Sequence, residues 1–417
     1  MKITVIETDA QGGLIHFAYQ FAEGLVDAGA TPTLVTALDY ELTFLPHRVN
    51  RVPLLRLWPQ VEDPPTSQIG QWLRRSIWPL RRAFRAISLA REWWRLTRYL
   101  KRTRPDVAVF STIRFRFISL YLRHLHRCGI KMTQICHEFD NRERPVQPGL
   151  VSQLSAALTA LLPDPYQYFT KIFVLSESTK TDFCRAFPHA ANRVAVLGHG
   201  PQLLFAADPA SAASVANYYR IADGQKIVLM YGALRPSKGA ADLVEAFARL
   251  VRSDQGANQP RLIIAGYPSR EFDSAALEAR INDLQIADRV MLDFRYLAMG
   301  DLGALVARAD VVVFPYRSAT ASGALSLAQS LGRPAVATAV GGLGDDIEDG
   351  VTGWLVAPQD PGALAHTIAT VLSDAKAAQK ISAQGQHMRL AENAWGKVAQ
   401  RFLDECAKGR DGPLGKE

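Results

Sequence analysis

Cysteine is scarce in this chain, with four residues in 417, and no two of them form a Cys-x-x-Cys pair. This usage excludes a dense disulfide framework and offers no zinc-ligand pattern, so we expect a reduced, cytoplasmic protein. No uninterrupted apolar stretch approaches the length of about 18 residues that a membrane-spanning helix needs, so none is expected. The N-terminal run MKITVIETDA is broken by Glu7 and Asp9. It therefore predicts a first β-strand rather than a signal peptide.

The composition is that of an ordinary globular protein, with 48% hydrophobic and 21% charged residues. A chain of 417 residues is too long for one hydrophobic core, so two domains are expected. Charge is spread unevenly around the net value of +8: residues 1–200 carry 26 Lys/Arg and 16 Asp/Glu, and residues 201–417 carry 22 and 24. The basic first half predicts an anionic surface or substrate as its partner.

Short apolar runs alternate with helical periodicity in both halves of the chain. In the first half, strands are predicted at 2–7, 31–38, 106–111, 131–137 and 171–176. After a loop-like region at 198–224, a second series is predicted at 226–232, 261–267, 289–294, 310–316 and 334–340. This alternation predicts two doubly wound α/β domains in tandem, with ligands bound at the carboxyl ends of the strands.

Residues 71–104 form a strongly basic segment, with eleven Lys/Arg, four Trp and one Glu. Apolar residues at helical spacing predict an amphipathic helix, which Pro79 would kink or split. Three interpretations stay open: contact with an anionic membrane surface, packing of a solvated basic helix on its own domain, and nucleic-acid binding, which no accompanying motif supports. Under the first interpretation, the membrane-contacting residues are Arg74, Arg75, Trp78, Arg81, Arg82, Arg85, Trp93 and Trp94.

Glycine-containing loops follow two of the predicted strands and precede predicted helices. Gly12 and Gly13 would let a ligand approach the backbone, although two glycines alone are more often a simple turn. In MYGALRPSKG (230–239), Arg235 and Lys238 converge on a helix N-terminus, an arrangement that suits a diphosphate. Two surface cations in a loop is an equally good interpretation of that second motif.

The stretch YRSATASGALSLAQSLGRP (316–334) runs from small polar residues into a helical pattern and contains no carboxylate. Small residues there would let a ligand approach a helix N-terminus. His137 stands at the end of a predicted strand, beside Glu138 and Asp140, where a site residue and a structural histidine are both compatible with the sequence. Asp345 and Asp346 could ligate a metal, but such a pair is more often a helix cap or turn, so no metal site is predicted.

With these motifs in order, the chain resembles the retaining nucleotide-sugar glycosyltransferases of the GT-B fold, in family GT4. The resemblance is best across 226–373, where YGALRPSKG, LIIAGY, ADVVVFPYRSATASGALSLAQSLGRPAVATAVGGL and DGVTGWLVAP occur in family order. It implies two Rossmann-like domains facing across a cleft. Residues 1–200 would bind the acceptor, residues 201–390 would bind the nucleotide sugar, and residues 391–417 would form a helix crossing back to the first domain, plus a tail.

The resemblance also implies roles for single residues. His137 would contact the transferred sugar, and Arg235 and Lys238 would bind the diphosphate, so these three are the expected catalytic residues. Arg295 and Tyr296 resemble the base-binding edge. The expected donor-binding residues are Gly12, Gly13, Gly232, Arg295, Tyr296, Ser318, Thr320, Ser322, Gly323, Ala324 and Leu325. No metal or other cofactor is expected, and the chain has no Asp-x-Asp motif.

The stretch 316–334 departs from the usual family pattern. Most members have two glutamates there, one for sugar hydroxyls and one for the ribose, and these places are Ala319 and Leu327 here. The stretch matches a family sub-pattern, S-A-T-x-S-G-x-L, so the departure is compatible with an active enzyme. Ser326 and Gln329 are the candidates to replace the ribose carboxylate.

The implied reaction moves a sugar from GDP-mannose or a UDP-sugar to a hydroxyl of a lipid-linked glycan or glycolipid. The setting would be bacterial surface polysaccharide assembly, with the protein peripheral at the inner face of the membrane. Two alternatives stay open: a catalytically silent GT-B protein that binds a sugar nucleotide or scaffolds a membrane assembly, and a GT-B epimerase. The missing glutamates favour the first alternative, whereas Arg235, Lys238 and His137 oppose it.

Overall fold

The computed structural model describes residues 1–56, 78–111, 113, 115–139, 161–206, 208–253 and 260–408. Among them, each half of the chain folds around its own parallel β-sheet, with apolar clusters packed on both faces of each sheet. The predicted fold class, two doubly wound α/β domains, is confirmed. In these domains buried runs such as VAVF and VVVF form the strands, because a parallel sheet covered on both faces needs apolar residues on both.

The first sheet has seven strands in the order β3-β2-β1-β4-β5-β6-β7. Its strands are β1 (Lys2–Ile6), β2 (Thr31–Ala37), β3 (Asn50–Leu55), β4 (Val107–Phe110), β5 (Met132–Ile135), β6 (Lys171–Val174) and β7 (Val194–Val196). Its helices are α1 (Gly13–Asp27), α2 (Trp78–Thr103), α3 (Ile118–Arg127) and α4 (Glu177–Ala186). The strand order reverses between β1 and β4, so a ligand crevice is expected at the loops that follow these two strands.

The second sheet has six strands in the order β10-β9-β8-β11-β12-β13. They are β8 (Ile227–Tyr231), β9 (Arg261–Ala265), β10 (Val290–Asp293), β11 (Val311–Phe314), β12 (Ala335–Thr338) and β13 (Trp354–Val356). Its helices are α5 (Pro209–Tyr218), α6 (Ala240–Ser253), α7 (Ser274–Asp283), α8 (Met299–Arg308), α9 (Gly323–Ser330), α10 (Gly341–Asp346), α11 (Pro361–Ser373) and α12 (Ala375–His387). Here the order reverses between β8 and β11.

A last helix, α13 (Trp395–Lys408), follows a π-helical turn at Met388–Glu392 and packs on α1 of the first domain. The ring of Phe402 lies 5.3 Å from that of Phe21, and the ring of Trp395 lies 5.0 Å from that of Phe17. Gly24 of α1 has no room for a side chain, because a Cβ there would lie 2.6 Å from the carbonyl oxygen of Trp395. The two helices therefore share one close-packed interface.

Two differences from the sequence predictions have local physical reasons. The region 198–224 is not wholly loop-like, because it contains α5, whose N-cap Asp208 accepts a hydrogen bond of 2.9 Å from the amide of Ser211. The short strands β3, β7 and β13 were not predicted, since edge strands and three-residue strands carry little periodicity. The predicted kink or split at Pro79 concerns the junction with residues 71–77, which lie outside the described residues, so it stays a prediction; α2 is described from Trp78 onward.

Candidate active site

The loops that follow the central strands of the two sheets meet between the domains. Thr320, after β11, donates a hydrogen bond of 2.8 Å from its hydroxyl to the carbonyl oxygen of His137, after β5. The carbonyl oxygen of Thr320 accepts bonds from the hydroxyls of Ser176 (3.1 Å) and Thr179 (2.7 Å), at the start of α4. The sequence predicted that the Thr320 hydroxyl binds the donor, but the structure uses it between the domains. Ser318 is half-buried in the same loop.

The cationic loop after β8 is fixed against the loop after β11 by close backbone contacts. Gly239 has a φ of +69°, and a Cβ there would lie 1.9 Å from the carbonyl oxygen of Pro315. The amide of Arg317 donates a 2.8 Å bond to the carbonyl oxygen of Ser237. Gly232, with a φ of +108°, opens the loop beside the first turn of α9. The glycines of the predicted motif therefore let two loops lie together at one strand reversal.

The two predicted cations lie on this loop and face different neighbours. The ammonium of Lys238 lies 3.5 Å from the centre of the Tyr316 ring, a cation–π contact. The guanidinium of Arg235 donates a 3.0 Å bond to the carboxylate of Glu138, which belongs to the first domain. Both partners of this ion pair are exposed, so their attraction is weak and solvent-screened. An anionic ligand that offers more charge can therefore replace Glu138.

Helix α9 points its N-terminus at the same place. The hydroxyl of Ser322, its N-cap, accepts a 3.1 Å bond from the amide of Leu325. A capping hydroxyl leaves other N–H groups of the first turn without an intrahelical acceptor, and Gly323 and Ala324 carry such groups. A hydrogen bond from the nucleotide sugar to the hydroxyl of Ser322 or the amide of Leu325 would have to break this capping bond. The helix end and its dipole therefore offer an anion-binding position at Gly323 and Ala324.

His137 lies two residues beyond the end of β5, with its ring packed edge-on against Phe17 at 4.6 Å. Burial, together with a smaller effect of the nearby His199, lowers the pKa of His137 to about 3. Burial likewise lowers the pKa of His199 to about 4. Within the described part of the chain, the buried Nε2 of His137 has no hydrogen-bond partner. The ring is therefore neutral and has a free polar atom for a ligand.

The glycine loop after β1 is tied to the second domain through Glu41. Gly12 has a φ of +85° and precedes α1, which begins at Gly13. Its amide donates a 3.1 Å bond to one carboxylate oxygen of Glu41, which also contacts the imidazole of His16. The other carboxylate oxygen accepts a 2.7 Å bond from the Tyr296 hydroxyl. Sequence reasoning missed Glu41, because nothing in its local sequence distinguishes it from a surface residue.

Arg295, predicted beside Tyr296 at the base-binding edge, turns its side chain toward its own domain. It forms two bonds, of 2.8 and 2.9 Å, to the buried carboxylate of Asp293, and its guanidinium lies 4.0 Å from the centre of the Tyr218 ring. Because these contacts engage the side chain of Arg295, the backbone of Arg295 and Tyr296 is what a nucleotide base could contact at the end of β10.

The two candidate replacements for the ribose carboxylate form hydrogen bonds within the protein. Ser326 is fully buried and donates a 2.8 Å bond to the carbonyl oxygen of Gly200, in the segment that joins the domains. The side-chain oxygen of Gln329 accepts bonds of 2.9 and 2.6 Å from Arg389, a buried arginine of the π-helical turn that also lies 3.2 Å from Asp346. Both side chains are thus engaged with other parts of the protein, and a contact of either with the ribose stays a prediction.

The outer face of α2 carries apolar and basic side chains together. Phe84, Ile87 and Trp94 are 60%, 69% and 52% exposed. Arg91 and Arg98 are exposed at the same helical spacing, and the Arg98 guanidinium lies 4.7 Å from the centre of the Trp94 ring. We call these five residues the basic surface.

Some of the predicted membrane residues belong to α2, and others lie outside the described residues. The prediction for Trp93 is wrong: its ring is 3% exposed and stacks on Phe110 at 5.8 Å in the domain core. Arg85 is half-buried. Arg74 and Arg75 lie outside the described residues, and Trp78, Arg81 and Arg82 lie in the first two turns of α2.

Among the described residues, no helix combines the length and apolar character needed to cross a bilayer. In the same parts of the chain, no group of three or more His, Cys, Asp or Glu residues is arranged to hold a metal ion.

Comparison with known proteins identifies the class. The family model "Glycosyltransferase Family 4" matches residues 11–203, and the model "Glycosyl transferases group 1" matches residues 216–388. The two models follow each other along the chain and correspond to its two domains. The chain belongs to the group 1 glycosyltransferases of family 4, and its two facing domains form the GT-B fold, as the resemblance predicted.

Individual relatives are similar over part of the chain or in fold. A D-inositol 3-phosphate glycosyltransferase of Corynebacterium efficiens is 36% identical over 153 residues, which are 36% of this chain and 35% of that protein. The matched segment thus spans about a third of that relative. Anabaena Alr3699/HepE, crystallised with UDP and glucose, shares the fold with a TM-score of 0.68 and 18% identity, covering 98% of this chain and 100% of that one. WaaG, a glycosyltransferase involved in lipopolysaccharide biosynthesis, superposes with a TM-score of 0.64 and 17% identity, covering 99% and 100%.

Proposed function

We propose that the protein transfers a sugar from a nucleotide diphosphate-sugar to an acceptor hydroxyl, with retention at the anomeric carbon. The observation that carries the proposal is a convergence at the facing strand reversals of the two sheets. Lys238, Arg235 and the N-terminus of α9 supply positive charge there, and the neutral ring of His137 lies on the opposite domain. Bound UDP in the fold neighbour Alr3699/HepE supports a nucleotide donor.

The residues have distinct roles in this reaction. The diphosphate pairs with the guanidinium of Arg235 and so replaces Glu138 there. Lys238 and the amides of Gly323 and Ala324 surround the diphosphate. As the bond between the anomeric carbon and the diphosphate oxygen breaks, negative charge grows on that oxygen, and these fixed groups stabilise it.

The nucleophile is the acceptor itself. Its hydroxyl oxygen forms the new bond on the same face of the sugar, and its proton passes to the diphosphate oxygen that leaves. His137, neutral at physiological pH, holds the sugar through Nε2 and takes no proton.

We also propose that this transfer needs no metal ion. The charge that a divalent cation supplies on a diphosphate comes here from two side chains and a helix end. The expected result is undiminished transfer in the presence of a strong chelator, and restoration of activity by added metal after chelation would contradict it.

The acceptor side is proposed to meet an anionic membrane. Phe84, Ile87 and Trp94 can enter the headgroup region, while Arg91 and Arg98 meet lipid phosphates. The single acidic residue of α2, Glu92, is buried and paired with Arg95 at 3.0 Å, so it does not repel such a surface. A lipid-linked glycan or glycolipid of a bacterial surface polysaccharide is the acceptor class that fits, with the protein peripheral at the inner membrane face.

A panel of nucleotide sugars tests the function. The protein is incubated with GDP-mannose and several UDP-sugars, with and without lipid extracts, and products are identified by mass spectrometry. We expect one donor to yield a glycosylated lipid whose formation stops in Lys238→Ala. Release of free UDP from a UDP-sugar without acceptor would instead support the epimerase alternative. Nucleotide binding without any turnover would support the silent protein that the missing glutamates first favoured.

A further inference from the structure

Glu41 lies just beyond β2 and projects its carboxylate between the domains. Its side chain is 15% exposed, with the amide of Gly12 and the ring of His16 on one oxygen and the hydroxyl of Tyr296 on the other. Burial would raise the pKa of Glu41, but the bonds from His16, Tyr296 and Gly12 outweigh this and hold the pKa below its usual value. The carboxylate is therefore ionised at neutral pH.

The neighbours of Glu41 determine which part of a nucleotide it can meet. A nucleotide sugar runs from base to ribose to diphosphate to sugar. Tyr296 stands at the proposed base-binding edge, and Gly12 belongs to the loop proposed to approach the phosphates and sugar. A carboxylate that bonds to both lies beside the part of the ligand between base and phosphates, which is the ribose. Ribose hydroxyls are recognised by carboxylates in other α/β nucleotide sites.

The bonding capacity of Glu41 allows this contact. A carboxylate offers about four acceptor positions. Three donors occupy one position each: two on the oxygen facing Gly12 and His16, and one on the oxygen facing Tyr296. The oxygen facing Tyr296 therefore keeps a position for a ribose hydroxyl. The residues that stand in the family's usual glutamate places, Ala319 and Leu327, are apolar and 7% and 2% exposed.

We propose that Glu41, from the first domain, binds a ribose hydroxyl of the nucleotide donor and so replaces the carboxylate that position 327 lacks. The inference rests on the proposed function. It assigns ribose recognition to the domain that is otherwise expected to bind the acceptor.

Deoxynucleotides test the proposal by calorimetry on the full chain. UDP, GDP and ADP are titrated first, and the tightest binder is compared with its 2′-deoxy and 3′-deoxy forms. We expect one deoxy form to bind the wild type about 10- to 100-fold more weakly, the cost of one charge-assisted hydrogen bond. In Glu41→Ala the ribo and deoxy forms should bind equally, and in Glu41→Gln the ratio should be intermediate.

Control variants separate ribose binding from domain contact. Tyr296→Phe removes the hydroxyl that bonds to Glu41 and should keep the deoxy penalty, and Glu278→Gln, an exposed glutamate of α7, should bind like the wild type. Melting temperatures check the fold of each variant. An unchanged deoxy penalty in both Glu41 variants, or none in the wild type, overturns the role of Glu41 alone. Failure of the wild type to bind any of the three nucleotides overturns the proposed function as well.

Discussion

The two domains share one architecture but differ in where their charge lies. In the second domain, cations are few at the cleft and are fixed by glycines and an aromatic ring, as with Lys238 over Tyr316. In the first domain, cations are numerous and exposed on the outer face of α2, far along the chain from the glycine loop. Precisely placed charge suits one small ligand, whereas distributed charge suits a broad anionic surface. The comparison predicts that mutations in the two domains will affect different steps.

The largest expected effect is on the fixed charge of the second domain. Lys238→Ala should lower kcat/KM by about 10²- to 10³-fold, because the leaving diphosphate loses a preorganised cation. Vesicle binding should not change. Steady-state kinetics measures the loss, and Lys380→Ala, an exposed lysine of α12, is the matched control. Undiminished activity of Lys238→Ala would contradict the proposal that Lys238 binds the diphosphate.

A second prediction concerns the histidines between the domains. Their folded pKa values of about 3 and about 4 lie below the ordinary value for histidine, so the unfolded chain takes up protons that the folded chain does not. Stability is therefore complete above about pH 6.5 and falls as the pH decreases, by on the order of 2 kcal/mol for each histidine at pH 5. Urea unfolding of the wild type at pH 7 and pH 5 measures this difference.

The matched variants for that experiment are His199→Asn and His366→Asn. His199→Asn should flatten the decline between pH 7 and pH 5, whereas His366→Asn, at an exposed position of α11, should leave it unchanged. An equal decline in all three proteins would show that other groups cause it.

A smaller effect is expected from the distributed charge of the first domain. The double variant Arg91→Gln/Arg98→Gln should bind vesicles of phosphatidylglycerol and phosphatidylcholine about 30-fold more weakly, since each cation near an anionic surface contributes about 1 kcal/mol. The double variant Arg270→Gln/Lys380→Gln, exposed in the second domain, is the control. Flotation assays at low and high salt measure both. Equal binding of the two variants would reject the membrane contact.

The smallest expected effect is at the ion pair between Arg235 of the second domain and Glu138 of the first. Glu138→Gln frees the guanidinium of Arg235 from an exposed carboxylate. The donor should then bind about two- to fivefold more tightly, because an exposed pair contributes little. Calorimetry with UDP is the measurement. Weaker binding in this variant would mean that Glu138 helps to position Arg235 for the donor and does not compete with the donor for the guanidinium.

The sequence predicted the second domain better than the first, and for physical reasons. Lys238, Gly239 and the cap at Ser322 are local features, because each acts within a few residues of itself and so leaves a contiguous motif. Glu41 acts on Tyr296 from 255 positions away, and no local pattern records such a contact. Trp93 and Trp94 show the same limit. Both were predicted to contact the membrane, but successive residues of a helix point about 100° apart, so Trp94 is exposed and Trp93 is buried.

The return of α13 to α1 also affects the order in which the chain can fold. Trp395 and Phe402 complete the apolar cluster that holds Phe17 and Phe21, so the core of the first domain includes residues that are synthesised after the second domain. At about 5 to 20 residues per second, the ribosome needs roughly 20 to 75 s to add the 370 or so residues between α1 and α13. The first domain to emerge is therefore the last to be finished, and during that time the apolar face of α1 is available to chaperones or to other nascent chains.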